Sequence, residues 1–237
     1  MAGTVIAMAE ARRPLVTKER ILDAAEGLFM EHGYEATNVR SITTAAGVNL
    51  AAVNYHFGSK EELFQAVLTR RLDPLNQERV DLLTRFELDV GPDALACDRI
   101  LSAMFIPALK LARDPERGGK DFLRLLGRAY ADPAPFIRKF LAEQYAVMIA
   151  RFKAAFWRAL PHLPKKEISW RLHFIMGALS YTLAGTDALR LIAELTPAET
   201  GNDELLLRRL APFLLAGLQS PVPDLSDAVR HPDGVPS

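Results

Sequence analysis

Between residues 40 and 60 the chain gathers side chains suited to hydrogen bonding along a nucleic-acid surface rather than to breaking bonds. Arg40 can donate bidentately to a guanine edge, and the amide of Asn49 or Asn54 can bridge an adenine edge. Lys60, just after a helix N-cap, can pair with a phosphate alongside backbone N–H groups. Leu50 and Ala51 or Ala52 can meet thymine methyl groups. Catalytic patterns are missing. His32, His56, His162, His173 and His231 are scattered, with no metal-ligand spacing and no Ser or Cys partner nearby. Cys97 is the sole cysteine, so it cannot form an internal disulfide and reads as a small hydrophobe in a reducing compartment. No catalytic residue, metal or cofactor is expected.

Holding those groups on one surface takes short, well-capped helices, and the surrounding pattern supplies them. Apolar residues recur at helical spacing almost throughout, so the expected fold is all-α. Ile21, Ala25, Leu28 and Phe29 make one face of a first helix that Thr17 can cap and Gly33 ends. Val39, Ile42 and Ala46 mark a short second helix with Thr37 as its N-cap, and Gly47 makes the following turn. A third helix runs from about Leu50 to His56 and stops at Gly58, tied to the core by Val48, Val53 and Phe57. Ser59 to Glu62 spells a capping box that opens a fourth helix through Leu63, Phe64, Val67 and Leu68. Second and third helices joined by a tight turn describe a helix-turn-helix, whose third helix lies in the major groove. Bulk charge gives no support: 29 basic residues balance 29 acidic ones. Through residue 70, seven Lys and Arg face eight Asp and Glu. DNA contact must then come from a local arrangement and from dimerisation.

The run from Thr37 to Leu63, TNVRSITTAAGVNLAAVNYHFGSKEEL, closely resembles the TetR-family signature. Ile42, Ala46-Gly47-Val48, Tyr55-His56-Phe57 and Lys60-Glu61-Glu62-Leu63 match in order and spacing, and the match reaches back to Thr17 without a gap. The resemblance implies a DNA-binding head over 15–64 and a ligand-binding and dimerisation domain over 65–219, while the ends, an arm over 1–14 and a proline-rich tail over 220–237, are expected to be disordered. It also implies that Thr37, Tyr55, His56 and Lys60 hold DNA phosphates, while Arg40 and the exposed positions of the third helix meet bases. Asn49 stands where serine is usual, Ala51 where glycine is common and Asn54 where tyrosine is usual. Those departures keep the frame and leave the operator sequence open. Arg12, Arg13 and Lys18 form either a basic arm reaching DNA or a solvated tail.

Beyond the head, Pro74 should kink or restart the fourth helix. Gly91-Pro92, Gly118-Gly119, Asp132-Pro133 and Pro161 to Pro164 separate helices expected near 93–114, 119–131, 133–160, 165–194 and 203–219, giving about nine in all. Met104, Phe105, Phe122, Leu126, Tyr130, Tyr145, Met148, Phe152 and Phe174 are expected to line a flexible aromatic cavity for a hydrophobic effector. Arg113, Arg117, Lys120, Arg124 and Arg128 either meet an anionic group at its mouth or stand as surface charge. Leu172, Ile175 and Leu179, with Leu207, Leu210, Phe213 and Leu214 of the last helix, are expected to pack against a second copy. The last helix is apolar around more than one face and needs burial on two sides. The runs RLLGRAYADPAPFIRKFLAEQY and HFIMGALSYTLAG are similar to a fatty-acid-responsive, PsrA-type subgroup of the same family, which implies a long-chain fatty acid or acyl-CoA as effector.

Expected partners are therefore double-stranded operator DNA, that effector and a second copy in a homodimer. No apolar run is long enough for a membrane helix, so no membrane partner is expected and the cytoplasm is the expected location. The expected function is a repressor released from a near-palindromic operator by its ligand. The competing readings are a multidrug-responsive repressor of an efflux pump and a helical lipid-binding or interaction protein without DNA function.

Overall fold

The computed structural model describes residues 2–132, 134–183 and 203–223, and every regular element among them is helical. In chain order these are α1 (Ala2–Ala36), α2 (Val39–Ala46), α3 (Leu50–Phe57), α4 (Lys60–Val90), α5 (Cys97–Ala112), a 3-10 turn (Pro115–Arg117), α6 (Gly119–Ala131), α7 (Pro135–Gln144), α8 (Ala146–Ala159), α9 (Lys165–Leu183) and α10 (Asp203–Gln219).

Two boundaries in the head differ from the sequence expectation. The segment expected to be a disordered arm is helical from Ala2, and Ala7, Met8, Ala9, Glu10 and Ala11 are strong helix formers. Gly33 breaks the helix as expected, with φ 81° and ψ 175°, but helical residues resume after it and run to Ala36. The short helices then stop and start where side-chain caps satisfy the orphan N–H groups. Asn38 caps α2 by accepting from the Ser41 N–H at 2.8 Å. Asn49 caps α3 by accepting from Ala52 N–H at 2.9 Å, and Ser59 caps α4 by accepting from Glu62 N–H at 3.1 Å. The return arm of the expected capping box is not made: the Ser59 N–H donates to Phe57 O at 2.8 Å instead.

α4 passes through Pro74 as one helix of 31 residues. A proline inside a helix costs about 3 kcal/mol. Leu72 and Leu75 beside it are fully buried, each contributing roughly 2 kcal/mol of apolar burial, and Pro74 itself faces solvent. Packing outweighs the missing hydrogen bond. The segment expected as one helix over 133–160 divides into α7 and α8 at Tyr145 (φ −110°, ψ 15°), whose buried hydroxyl donates to Asp73 Oδ1 of α4 at 3.1 Å.

Two buried clusters fill the interior. The first joins the head to the helices behind it: Ile21, Phe29 and Phe64 belong to the same cluster as Phe122, Leu126 and Ile137. Phe29 meets Phe64 edge-on at 5.0 Å between ring centres, and Tyr34 leans on Phe136 of α7 at 4.9 Å. The second cluster lies between α4, α5, α8, α9 and α10, around Ile100, Phe156, Ile175 and Leu218. α4 and α5 run through both, so the head is braced on the same helices that wall the far core.

The stripe expected to meet a second copy is turned inward. Ile175 and Leu179 of α9 and Leu214 of α10 are buried in the second cluster, with Leu172 and Leu210 half-buried against it. The side chain of Leu207 and residues 184–202, including Ala184 and Gly185, lie outside the described residues. Outward-facing instead are Trp170, Phe174 and Tyr181 on α9 and Phe213 on α10. Positions 170, 174, 177 and 181 repeat the spacing of 168, 172, 175 and 179 two residues later, about 200° around a helix. α9 carries two apolar stripes, and one of them is committed to its own core.

Candidate functional site: a nucleic-acid interface and a helical cavity

The frame of the head is set by residues on three helices. Ile42 and Ala46 of α2, with Val53 and Phe57 of α3, are buried against α1. The turn between α2 and α3 is closed at Gly47 (φ 61°, ψ 42°), whose N–H donates to Thr43 O and Thr44 O. Across it, the guanidinium of Arg20 on α1 donates to Ala46 O at 2.5 Å and Gly47 O at 3.4 Å. The left-handed φ favours glycine there, and a Cβ on Gly47 would stand 2.7 Å from that guanidinium and push it aside. Arg20 was missed by the sequence reading. It acts 26 residues away along the chain, and no local pattern carries that signal.

With that frame in place, α3 turns Leu50, Ala51, Asn54 and Tyr55 outward, and Arg40 of α2 is also exposed. Ala52, His56 and Lys60 sit half-exposed beside them. Tyr55 is 82% exposed and meets His56 edge-on at 5.0 Å. Lys60 holds its ammonium 4.1 Å from the centre of the Tyr34 ring, which pins it at the start of α4. Lys18 of α1 lies over Phe57 at 5.8 Å; the side chains of Arg12 and Arg13 lie outside the described residues.

Two of the residues singled out from sequence take other positions. Thr37 is only 2% exposed, and its hydroxyl donates to Leu28 O at 3.1 Å and Gly33 O at 2.7 Å. It ties the end of α1 together and cannot reach a phosphate in this arrangement; Asn38, not Thr37, is the cap. Asn49 is exposed, but its carbonyl oxygen is already used on Ala52 N–H. A bidentate grip on adenine needs both amide atoms, so Asn49 would have to surrender the cap to make one. Asn54 makes no hydrogen bond through its side chain to the described residues and keeps both atoms available.

Behind the head, α4 to α9 enclose a cavity of about 430 Å³. Met104, Tyr130, Tyr145, Met148 and Phe152 line it as expected, together with the inward stripe Leu172, Ile175 and Leu179. Phe105, Phe122 and Leu126 do not: they are buried in the two cores, sealed from the space by their neighbours. Phe174 is 62% exposed and stacks on Trp170 at 5.9 Å, because its position on α9 faces away from the cavity. None of the basic residues expected at the mouth lines the space. Arg117 pairs with Glu78 at 2.9 Å, Arg124 with Asp121 at 2.9 Å, and Arg128 donates to Met30 O at 2.7 Å. Among the described residues the cations that line it are Arg79, Arg138 and Lys153, with His173, and no described carboxylate lines it.

The cavity is joined to the head through α4. Asn76 and Arg79 of α4 are in its wall, and Tyr145, also in the wall, reaches Asp73. Burial, then the Asp73 charge, pushes the Tyr145 phenol well above its ordinary value, so it remains a donor across the neutral range. Less than one turn before Asp73, Arg71 and Arg70 of α4 grip the buried Glu26 of α1 at 2.5 and 3.1 Å. Among the described residues no group of His, Cys, Asp and Glu is arranged to hold a metal ion, and no helix is long and apolar enough to cross a membrane.

Residues 21–67 match the family described as bacterial regulatory proteins, tetR family, and residues 102–217 match the tetracyclin repressor-like C-terminal domain. The chain is 35% identical over 110 residues to the HTH-type transcriptional regulator TtgW of Pseudomonas putida, covering 46% of this chain and 72% of that one. It is 34% identical over 110 residues to the HTH-type transcriptional regulator SrpR, also of Pseudomonas putida, a stretch that spans 46% of this chain and only 45% of that relative's length. In fold it is similar to the fatty acid degradation regulator FadR from Bacillus halodurans, with a TM-score of 0.54 at 17% identity, over 86% of this chain and 97% of that one.

Proposed function

Because the chain belongs to the TetR family of bacterial transcriptional regulators, we propose that it is a dimeric repressor which leaves a near-palindromic operator when an anionic, long-tailed amphiphile fills its cavity. The observation that carries this reading is the lining: an apolar space of about 430 Å³ whose charged groups, among the described residues, are all cationic. A long-chain fatty acid or acyl-CoA matches both properties, whereas a cationic drug would meet like charge without a carboxylate to offset it.

DNA contact is assigned to the outward face of α3 with Arg40 and Lys60. Arg40, Asn54 and the apolar Leu50 and Ala51 face bases, and Tyr55, His56 and Lys60 hold phosphates. Neutral bulk charge makes one head a weak binder, so a second copy is needed to supply a second head one DNA turn away. The surface assigned to that copy is the outward stripe of α9 and α10, where Trp170, Phe174, Tyr181 and Phe213 stand exposed. Gly177 and Gly217 on those helices have open space where a Cβ would stand, leaving room for close helix approach.

Release works through α4. Ligand pressing on Asn76 and Arg79 shifts a helix that is also clasped to α1 through Glu26, and the spacing of the two heads changes. The ligand must favour the released state by a few kcal/mol for the switch to be useful. The test is in vitro selection of duplexes bound by the full chain, then titration of the selected DNA with and without dodecanoate. Two-fold symmetric sites and release by dodecanoate are expected. Equal dodecanoate affinity of free and DNA-bound protein would refute the switch.

A further inference from the structure

Arg79 is a cation in the cavity wall with nothing negative to answer it. Its Nε donates to Met104 O at 3.0 Å and its Nη1 to Asn76 Oδ1 at 2.9 Å. The remaining polar neighbour is the Tyr130 hydroxyl. All three are neutral, and among the described residues no carboxylate forms an ion pair with it. The residue is half-buried overall, and burial of its guanidinium holds its pKa below the ordinary arginine value. It remains a cation at neutral pH, since arginine starts so high.

A buried charge without a counter-ion is costly to a fold. The other lining cations bear no such cost: Arg138 is exposed, Lys153 half-exposed and resting 5.5 Å from the Trp157 ring. The exposed lining residues, Arg138, Ala142, Ile149, Ser169 and His173, mark the mouth between α7, α8 and α9, while Arg79 stands at the inner end on α4. A guanidinium has five N–H donors in a planar fork. Those taken by Met104 and Asn76 leave donors over for a planar oxyanion.

We propose that Arg79 is the headgroup anchor of the cavity, holding the carboxylate of a singly charged ligand at the inner end while the apolar tail runs outward past Met148, Phe152 and Ile175. This rests on the reading of the cavity as the effector site and sharpens it. An acyl thioester has no free carboxylate, and its bulky charged portion stays at the mouth beside Arg138 and Lys153. Head-inward anchoring therefore selects the free acid.

The experiment is calorimetric titration of the full chain with dodecanoate, dodecanol and dodecanoyl-CoA. Wild type, Arg79→Met, Arg79→Lys and an Arg138→Met/Lys153→Met double variant are compared, each also scored for release of its selected DNA. Wild type is expected to prefer dodecanoate over dodecanol by about ten- to a hundredfold, the range of one charge-assisted hydrogen-bond pair. Arg79→Met should lose that preference while still binding dodecanol, which shows that it is folded. Arg79→Lys should keep part of the preference, and the mouth variant all of it. The anchor is overturned if Arg79→Met keeps the preference, if the mouth variant abolishes it, if the thioester binds wild type more tightly than the acid, or if dodecanoate fails to bind wild type. Should dodecanoate bind through Arg79 yet leave DNA binding untouched, the anchor stands and the derepression mechanism falls.

Discussion

Glu26 has almost no contact with water and is held by two guanidinium groups, Arg71 at 2.5 Å and Arg70 at 3.1 Å. Removing one partner of a buried pair strands the other charge, which costs far more than the pair itself contributes. Glu26→Gln is therefore expected to lower unfolding free energy by roughly 3 kcal/mol in a urea titration. Asp23→Asn removes an exposed member of the same network and should cost under about 1 kcal/mol. Equal losses would show that Glu26 is no special joint. Cys97 poses the opposite contest. It stands at the first position of α5, where the helix N-terminus would favour a thiolate, but burial and then Asp98 push its pKa up from 9.0 to about 11. Native protein at pH 8 should react with a thiol reagent far more slowly than unfolded protein. The raised value also gives a sign: between pH 9 and 11 the unfolded chain sheds the proton first, so stability falls as pH rises through that window.

At the level of elements, the turn between α2 and α3 depends on Gly47 and Arg20 together. An alanine at Gly47 would strain a left-handed backbone and also displace the Arg20 guanidinium. We expect Gly47→Ala to destabilise by about 1–3 kcal/mol. It should also weaken DNA binding more than a stability loss at a remote site does, because α3 is re-aimed. Thermal melting paired with DNA titration measures both, and unchanged DNA affinity would discount the clamp. α4 shows how packing decides an element's fate: Pro74 reads as a kink, yet Leu72 and Leu75 hold one continuous helix across it. That continuity makes α4 a lever from the cavity wall to the head rather than two hinged pieces.

For the whole molecule, the exposed aromatic stripe is the feature most in need of a partner. Phe174 is 62% and Phe213 70% exposed, and both belong to helices whose other face is already committed to the core. Large apolar exposure of this kind is characteristic of an interaction surface. The double variant Phe174→Asp/Phe213→Asp should elute as a folded monomer with unchanged helicity by circular dichroism and bind a palindromic duplex at least tenfold more weakly, since one head then acts alone. Light scattering that still reports a dimer would move the interface elsewhere.

The head was legible because its signals are local. Ser59 caps the residue three positions on, Gly47 turns the chain where it stands, and Val53 and Phe57 sit one helical turn apart and are buried, whereas the Asn49 cap was read as a base contact. An all-α architecture followed from those short-range rules, while the family came from the resemblance of the Thr37 to Leu63 run and the family matches. Long-range geometry was not written there. Whether Thr37 faces solvent or α1, which of the two α9 stripes turns inward, and which cations enter the cavity all depend on contacts between elements far apart in sequence. Periodicity states that a helix has an apolar face, but two faces of equal period are distinguished only by what they pack against. The ion pairs show the same limit: Arg117, Arg124 and Arg128 look as available as Arg79 in a string of letters. Only the fold brings Glu78 to Arg117 and the Met30 carbonyl to Arg128, and gives Arg79 neutral partners, the Met104 carbonyl and Asn76, beside the cavity.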